Sequence, residues 1–390
     1  MYSPLDTILA FLTAHPLALL ALSGLLKTGF VMTVVMLIGG LILSWVERKQ
    51  SAIMQDRIGA NRADILGIRL LGIIHNLADA AKGILKEDFI PPKANPFLHT
   101  LAPFLAVSTA VVAFAVLPFG GDITVLGQVI LLTIAPLPVG IFFVWAMMGI
   151  GVYGVILAGY VSNNKFATLG ALRDSAQVIS YEVATGLTVL GALLIYQTVD
   201  LRQMVQWQST HSLSQVPLLH WLPDWIPAWG VFLQPLGFVL FFVATIVEMK
   251  RIPFDLPEGE SEIIGYNIEY SGMKFMLFMM SEFVESLLFA WVIVLIFFGG
   301  WDVPGLKLGA FGVDASLFSH AIPYFGGVAL ATIAMALKII FFLWLQMLIR
   351  WSLPRVRYDQ LMNLGWKIML PIALVNLVIT AALALLVPHA

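Results

Sequence analysis

Cysteine is absent from the 390-residue chain, which removes disulfides, thiolate-bound zinc, cysteine-ligated iron–sulfur clusters and cysteine nucleophiles from its chemistry. Any redox centre it serves therefore belongs to a partner. Charge is the second scarcity. Only 11% of residues are charged against 60% hydrophobic, and the mean hydropathy is +0.92. A soluble domain of this length cannot bury so much apolar surface, so lipid is its solvent. The net charge of −2 gives no basic footprint for nucleic acid. Histidines at metal-ligand spacing, phosphate-cradling glycine loops and nucleophile triads are also missing. No short repeat or low-complexity linker divides the chain, which reads as one polytopic membrane domain over 1–390.

What is present is a series of nearly uncharged runs of about twenty residues. They predict spans near 28–46, 98–119, 138–161, 175–198, 228–248, 275–299, 324–349 and 368–387. The expected fold class is an all-α integral membrane protein with about eight transmembrane helices. Residues 7–26 are also apolar, but His15-Pro16 interrupts them and only Lys27 separates them from the next run. They read as an interfacial or lengthened start of the first helix. No basic n-region with a small-residue cleavage site is evident, so no cleavable signal peptide is expected.

With the N-terminus outside, loops about 47–97, 162–174, 249–274 and 350–367 face the cytoplasm. Roughly 17 of the 21 Lys and Arg residues fall in these loops, against Lys27, Arg202 and Lys307 outside and Lys338 within a span. In the first loop Leu66, Leu70, Ile73, Leu77 and Ile84 recur at helical spacing up to about Lys86, which predicts a surface amphipathic helix. Trp207, Trp221, Trp225 and Trp229, in the outer loop 200–229, read as an interfacial aromatic belt.

Glu182, Glu282, Glu285 and Lys338 lie inside predicted spans, where an ionised side chain is costly unless paired or wetted. Glu282 and Glu285 are three apart and share a helix face, an arrangement suited to holding a proton transiently. The competing reading is a buried hydrogen bond or an ion pair with Lys338. The segment Glu248-Met-Lys-Arg-Ile-Pro-Phe-Asp-Leu-Pro-Glu-Gly-Glu-Ser-Glu262 gathers Glu248, Asp255, Glu258, Glu260 and Glu262, followed by Glu269. Pro253, Pro257 and Gly259 prevent one continuous helix. An acidic turn on the basic side of the membrane is either solvated or, folded against the bundle, a proton reservoir.

The loops resemble the H subunit family of the proton-pumping NADH-quinone oxidoreductase, respiratory complex I. The matching segments include Glu47-Arg-Lys, Met54-Gln-x-Arg57-x-Gly59-x-Asn61, Lys86-Glu-Asp-x-Ile-Pro, Gly159-Tyr-x-Ser-Asn-Asn-Lys165, Gly170-Ala-Leu-Arg173 and Ser180-Tyr-Glu-Val183. Pro253-Phe-Asp-Leu-Pro-Glu-x-Glu-Ser-Glu262, Glu269-Tyr-Ser-Gly-Met-Lys-Phe275 and Leu353-Pro-Arg-x-Arg-Tyr-Asp-Gln-Leu-Met362 follow in order. Two departures are Ala60 where the family commonly has proline, and a longer apolar N-terminus.

The resemblance implies a subunit of the cell inner membrane, docked beneath the quinone-reducing peripheral-arm subunits and beside antiporter-like membrane subunits. Quinone is the implied ligand at that interface, while NADH, FMN and iron–sulfur clusters belong to partners, with no metal or flavin in this chain and no nucleic acid bound. Carried over by residue, Glu47, Arg48, Arg57, Asp79, Arg251, Asp255, Arg350, Arg355 and Arg357 are implied chamber and interface residues. Glu182, Glu248, Glu258, Glu260, Glu262, Glu269 and Glu282 are the implied acidic path; Glu285 and Lys338 join it from their position in the spans. A membrane anchor of an energy-converting hydrogenase would share the bundle and acidic loop without quinone. A stand-alone proton-coupled transporter would carry inverted repeats with broken helices, for which the chain gives no sign.

Overall fold

Inside a bilayer, backbone N–H and C=O groups have only one another as partners, so apolar runs close on themselves as helices. The computed structural model describes residues 16–65, 67, 69–125, 128–216, 220–257, 259, 263, 265–303 and 318–385. The first rod, α1, runs Pro16–Val34, passes through a π-helical stretch at Val35–Ile42 and continues over Leu43–Met54. The described part of the N-terminal apolar segment is thus a lengthened start of the first helix. The other elements are α2 (Ile74–Leu85), α3 (Pro96–Ala113), a hairpin of β1 (Ile123–Val125) and β2 (Gln128–Ile130), α4 (Gly140–Val161), α5 (Lys165–Tyr196) and α6 (Leu201–Thr210). They continue with α7 (Gly230–Leu233), α8 (Pro235–Glu248), α9 (Gly272–Phe297), α10 (Phe318–Ser352) and α11, which runs Tyr358–Asn363, Leu364–Met369 in π form, and Leu370–Ala384.

Among the described residues seven helices are long and apolar enough to cross a membrane, and α8 is a shorter apolar helix. The short α7 precedes α8, with a break at Gln234-Pro235 where proline supplies no N–H. Helix α9 is the axis of the bundle: 89% of its apolar window is buried. It packs against α1, α2, α3, α6, α8 and α10. Gly39 of α1 permits one close approach, since a Cβ there would stand 3.1 Å from Val284 Cγ2.

Three expectations are revised. Residues 165–174 are not loop: Asn164 caps α5 by accepting from Phe166 N at 3.0 Å, and the helix starts at Lys165. At 32 residues α5 is about 48 Å long, against a hydrocarbon core of about 30 Å. Its charged first turns belong to the helix and do not end it. The surface helix begins only at Ile74; Leu66 lies outside the described residues, and Leu70 is in a 3-10 turn. Gly72 breaks the pattern at φ +93, where a Cβ would collide with the Ala60 carbonyl. Ile74, Asn76 and Gly83 are its buried positions, while Leu77 and Ile84 are exposed.

The far-end loop is more than an aromatic belt. Trp221 and Trp225 are exposed, but Trp207 packs on Tyr196 with ring centroids 5.2 Å apart. From α6, Gln208 donates to Leu295 O at 2.8 Å and accepts from Gly230 N at 3.2 Å and Gly299 N at 3.0 Å, closing the end of α9. Replacing Gln208 with Leu strands buried backbone groups at about 1–3 kcal/mol each. Denaturant unfolding of the purified protein should show a clear loss of stability, and an unchanged midpoint contradicts this capping role.

Candidate functional site

At the end carrying most basic residues, α1, α2 and the first half of α9 enclose an open groove of about 710 Å³. Its walls are apolar, with Met36 and Gly40 from α1, Gly83 and Ile84 from α2, and Met273, Met276, Met280 and Phe283 from α9. Gly83 lets the Met276 thioether lie directly against α2, in the space a Cβ would take. Polar atoms gather at the rim, where Arg48 Nη1 meets Asp79 Oδ2 at 2.6 Å and both residues line the groove.

Phe283 joins this groove to a buried chain of charge. Its ring carries the Arg251 guanidinium 4.1 Å from the centroid, and Arg251 Nη1 reaches Glu47 Oε2 at 3.3 Å. Arg350 Nη1 takes the other Glu47 oxygen at 2.9 Å. Arg251 also faces Glu282 and Glu285 of α9, and Lys250 faces the same two carboxylates. Lys250 Nζ lies 3.5 Å from Asp174 Oδ2, which also accepts from the Tyr266 hydroxyl at 3.3 Å. Burial alone would lower the Lys250 amine, yet Asp174, Glu285 and Glu282 together raise it above its ordinary value. Gln177 holds this turn by donating to Val247 O at 2.7 Å and Phe254 O at 2.9 Å.

Deeper in the bundle Glu248 accepts from Thr185 Oγ1 at 2.8 Å, and Trp145 Nε1 donates to the same hydroxyl at 3.5 Å. Glu182 and Glu248 line one void of about 10 Å³ with Trp145, Met148 and Phe289. That is about the room a single water needs. Gly149 keeps space beside it, since a Cβ would stand 3.3 Å from Glu182 Oε1.

The other expected residues divide into separate groups. Arg355 pairs with Asp255 at 3.0 Å, and Arg357 is exposed at the start of α11. Arg57 folds back on the end of α1, bonding Gln55 Oε1 at 2.7 Å and Ser51 Oγ at 3.0 Å. Glu269 accepts from Asn164 Nδ2 at 2.6 Å. Glu258, Glu260 and Glu262 lie outside the described residues. Lys338 is not a partner of the spanning glutamates. It donates to the carbonyls of Phe298, Gly300 and Asp302 at 2.7, 3.0 and 2.6 Å and sits over the Trp229 ring, capping the far end of α9. Sixteen residues separate Phe298 from Glu282, about 24 Å along the chain were it all helix. Lys250 and Arg251 face the glutamates instead, because they enter at the basic end.

Sequence reasoning missed Asp174, Lys250 and Thr185 as members of this chain of charge. A signal was available: Asp174, Gln177, Tyr181, Thr185 and Thr188 form a polar stripe at helical spacing along α5, and all five are buried. Among the described residues no group of His, Cys, Asp or Glu is placed to hold a metal.

The NADH dehydrogenase family model matches residues 26–381. Among similar proteins, the first H subunit of the NADH-quinone oxidoreductase of Cytophaga hutchinsonii is 40% identical over 344 residues, covering 88% of this chain and 91% of that protein. The H subunit of the same enzyme from Bdellovibrio bacteriovorus is 40% identical, covering 87% and 90%. The second H subunit from Rhizobium meliloti is 39% identical, covering 91% and 95%.

A carboxylate can lose its charge by protonation and a guanidinium cannot. Removing Glu47 leaves Arg251 and Arg350 together without their shared anion, whereas removing Arg251 leaves Glu47 bonded to Arg350. Glu47→Gln should therefore cost about 3–5 kcal/mol and Arg251→Met clearly less. Unfolding midpoints of the two variants in the same detergent check this, and the reverse order contradicts it.

Proposed function

The chain belongs to the NADH dehydrogenase family, and from that premise we propose that it is the membrane subunit of NADH-quinone oxidoreductase that admits quinone and passes the effect of its reduction into the bilayer. Its basic end faces the cytoplasm of a cell inner membrane and its N-terminus lies outside, the orientation supported by the distribution of Lys and Arg. The groove suits a quinone: about 710 Å³ falls within the range of small-molecule sites, its long wall is apolar, and its polar rim is formed by Arg48 and Asp79. Methionines on that wall suit a flexible isoprenoid tail because the thioether chain repacks easily.

Reduction of a quinone takes two electrons and two protons. In this reading the electrons come from NADH through flavin and iron–sulfur centres on peripheral-arm subunits, as the family membership implies, and a chain without cysteine supplies no thiolate-ligated cluster of its own. This chain's part is electrostatic. Negative charge developing near the groove acts on Arg251 across Phe283, one side chain away, and Arg251 is shared among Glu47, Glu282 and Glu285. Weakening any one of these contacts changes the field at the others, so the set responds as a unit. Lys250 and Asp174 carry the coupling onto α5, and Glu248 and Glu182 extend it towards antiporter-like neighbours. The contact of Phe283 with both groove and Arg251 is the observation that carries this reading.

In the assembled complex, Glu248→Gln and Glu269→Gln should each reduce quinone-linked proton pumping more than tenfold and leave NADH oxidation by an artificial acceptor unchanged. Normal pumping in both variants removes the acidic path. Arg48→Ala should raise the KM for a long-chain quinone about tenfold, on the order of one charge-assisted contact. An unchanged KM takes the groove rim out of substrate binding.

A further inference from the structure

His99, in the first turn of α3, has no exposed surface and takes no part in the chain of charge. The polar contacts of its ring run to the segment that opens α9. Its Nε2 lies 3.3 Å from Glu269 O, and its Nδ1 lies 3.4 Å from Lys274 Nζ. Its ring stacks on Tyr270 with centroids 4.0 Å apart and planes 13° apart, and Tyr270 lines the groove. The charged groups facing it are Lys274 of α9, Asp88 from the segment after α2, which pairs with Lys274 at 2.8 Å, and Glu269.

These partners fix the imidazole in one form. A carbonyl only accepts, so Nε2 carries the proton; an ammonium only donates, so Nδ1 offers its lone pair. A second proton on Nδ1 would set two cations 3.4 Å apart. Lys274 would then leave the ring and remain with Asp88 alone.

We infer that His99 is a positioning residue whose neutral form holds Glu269 and Lys274, and with them locks Tyr270 between them at the groove rim, and whose protonation releases Lys274 and unlocks that rim. The inference rests on the proposed role of the groove and of Glu269. No covalent or electron-transfer step is involved: one proton binds at Nδ1 and one hydrogen bond is lost.

Glutamine preserves both contacts, its amide donating to Glu269 O and its oxygen accepting from Lys274, but it does not titrate; phenylalanine preserves only the stack. In the assembled complex, quinone-linked turnover between about pH 5 and pH 8 should show an acid limb in the parent. In His99→Gln that limb should shift by about one pH unit or disappear, with turnover at the optimum within about twofold of the parent. In His99→Phe turnover should fall severalfold at every pH. Superimposable profiles for parent and His99→Gln overturn the inference. Structures of the parent complex at about pH 5 and pH 8 give a second reading independent of pumping. Separation of Lys274 from His99 at the lower pH alone supports the inference, and the same contact at both overturns it. Normal pumping in both Glu248→Gln and Glu269→Gln, measured in parallel, removes the acidic-path reading while the two-pH structures still decide the His99 lock.

Discussion

A guanidinium buried between helices has no route to neutrality except a carboxylate brought to meet it, and Arg251 is so placed. Glu47 of α1 meets it, with Arg350 from the end of α10 on the other oxygen. That one carboxylate thus ties together the first helix, the turn after α8 and the tenth helix. Phe283 of α9 completes the enclosure through its ring. The groove lies between α1, α2 and α9, with Met36 and Met280 on its walls beside the close approach of Gly39 to Val284. The same contact that holds the bundle is therefore one side chain away from the space offered to a ligand.

Buried charge on this scale is a poor way to gain stability, because desolvation cancels much of the Coulomb attraction. Its retention fits the proposed role in communication. Glu47, Glu282, Glu285 and Asp174 share Lys250 and Arg251 between them, so a change at one alters the field at the others. The polar stripe of α5 gives this set a rigid support, with Gln177 bonding the turn that presents Lys250 and Arg251, and Thr185 bonding Glu248. At the opposite end Lys338 and Gln208 close α9 with hydrogen bonds to backbone groups, which fixes its register without placing further charge near the glutamates.

Much of this was legible in the sequence. The spans follow from uncharged runs, and Glu282 and Glu285 stood out because a charge inside such a run needs a reason. Glu47, Arg48, Asp79, Arg251 and Arg350 were singled out through family resemblance, and the structure brings them together around the groove and its buried wall. What sequence spacing did not give was partnership between distant segments. An ion pair of Lys338 with the glutamates was the competing reading because both lie in spans, but depth along each helix separates them. Asp174 was assigned to a loop because charge was taken to end the helix, when α5 simply extends beyond the hydrocarbon. His99 resembled any isolated histidine, since Glu269, Tyr270 and Lys274 reach it only after α3 and α9 pack.

The coupling of groove chemistry to buried carboxylates is tested most directly by infrared difference spectroscopy of the assembled complex during quinone reduction. A carboxyl carbonyl band that appears on reduction and is lost in Glu285→Gln, with electron delivery to the quinone intact, is the predicted result. A difference spectrum identical in parent and variant would place the response outside this chain of charge and contradict the account.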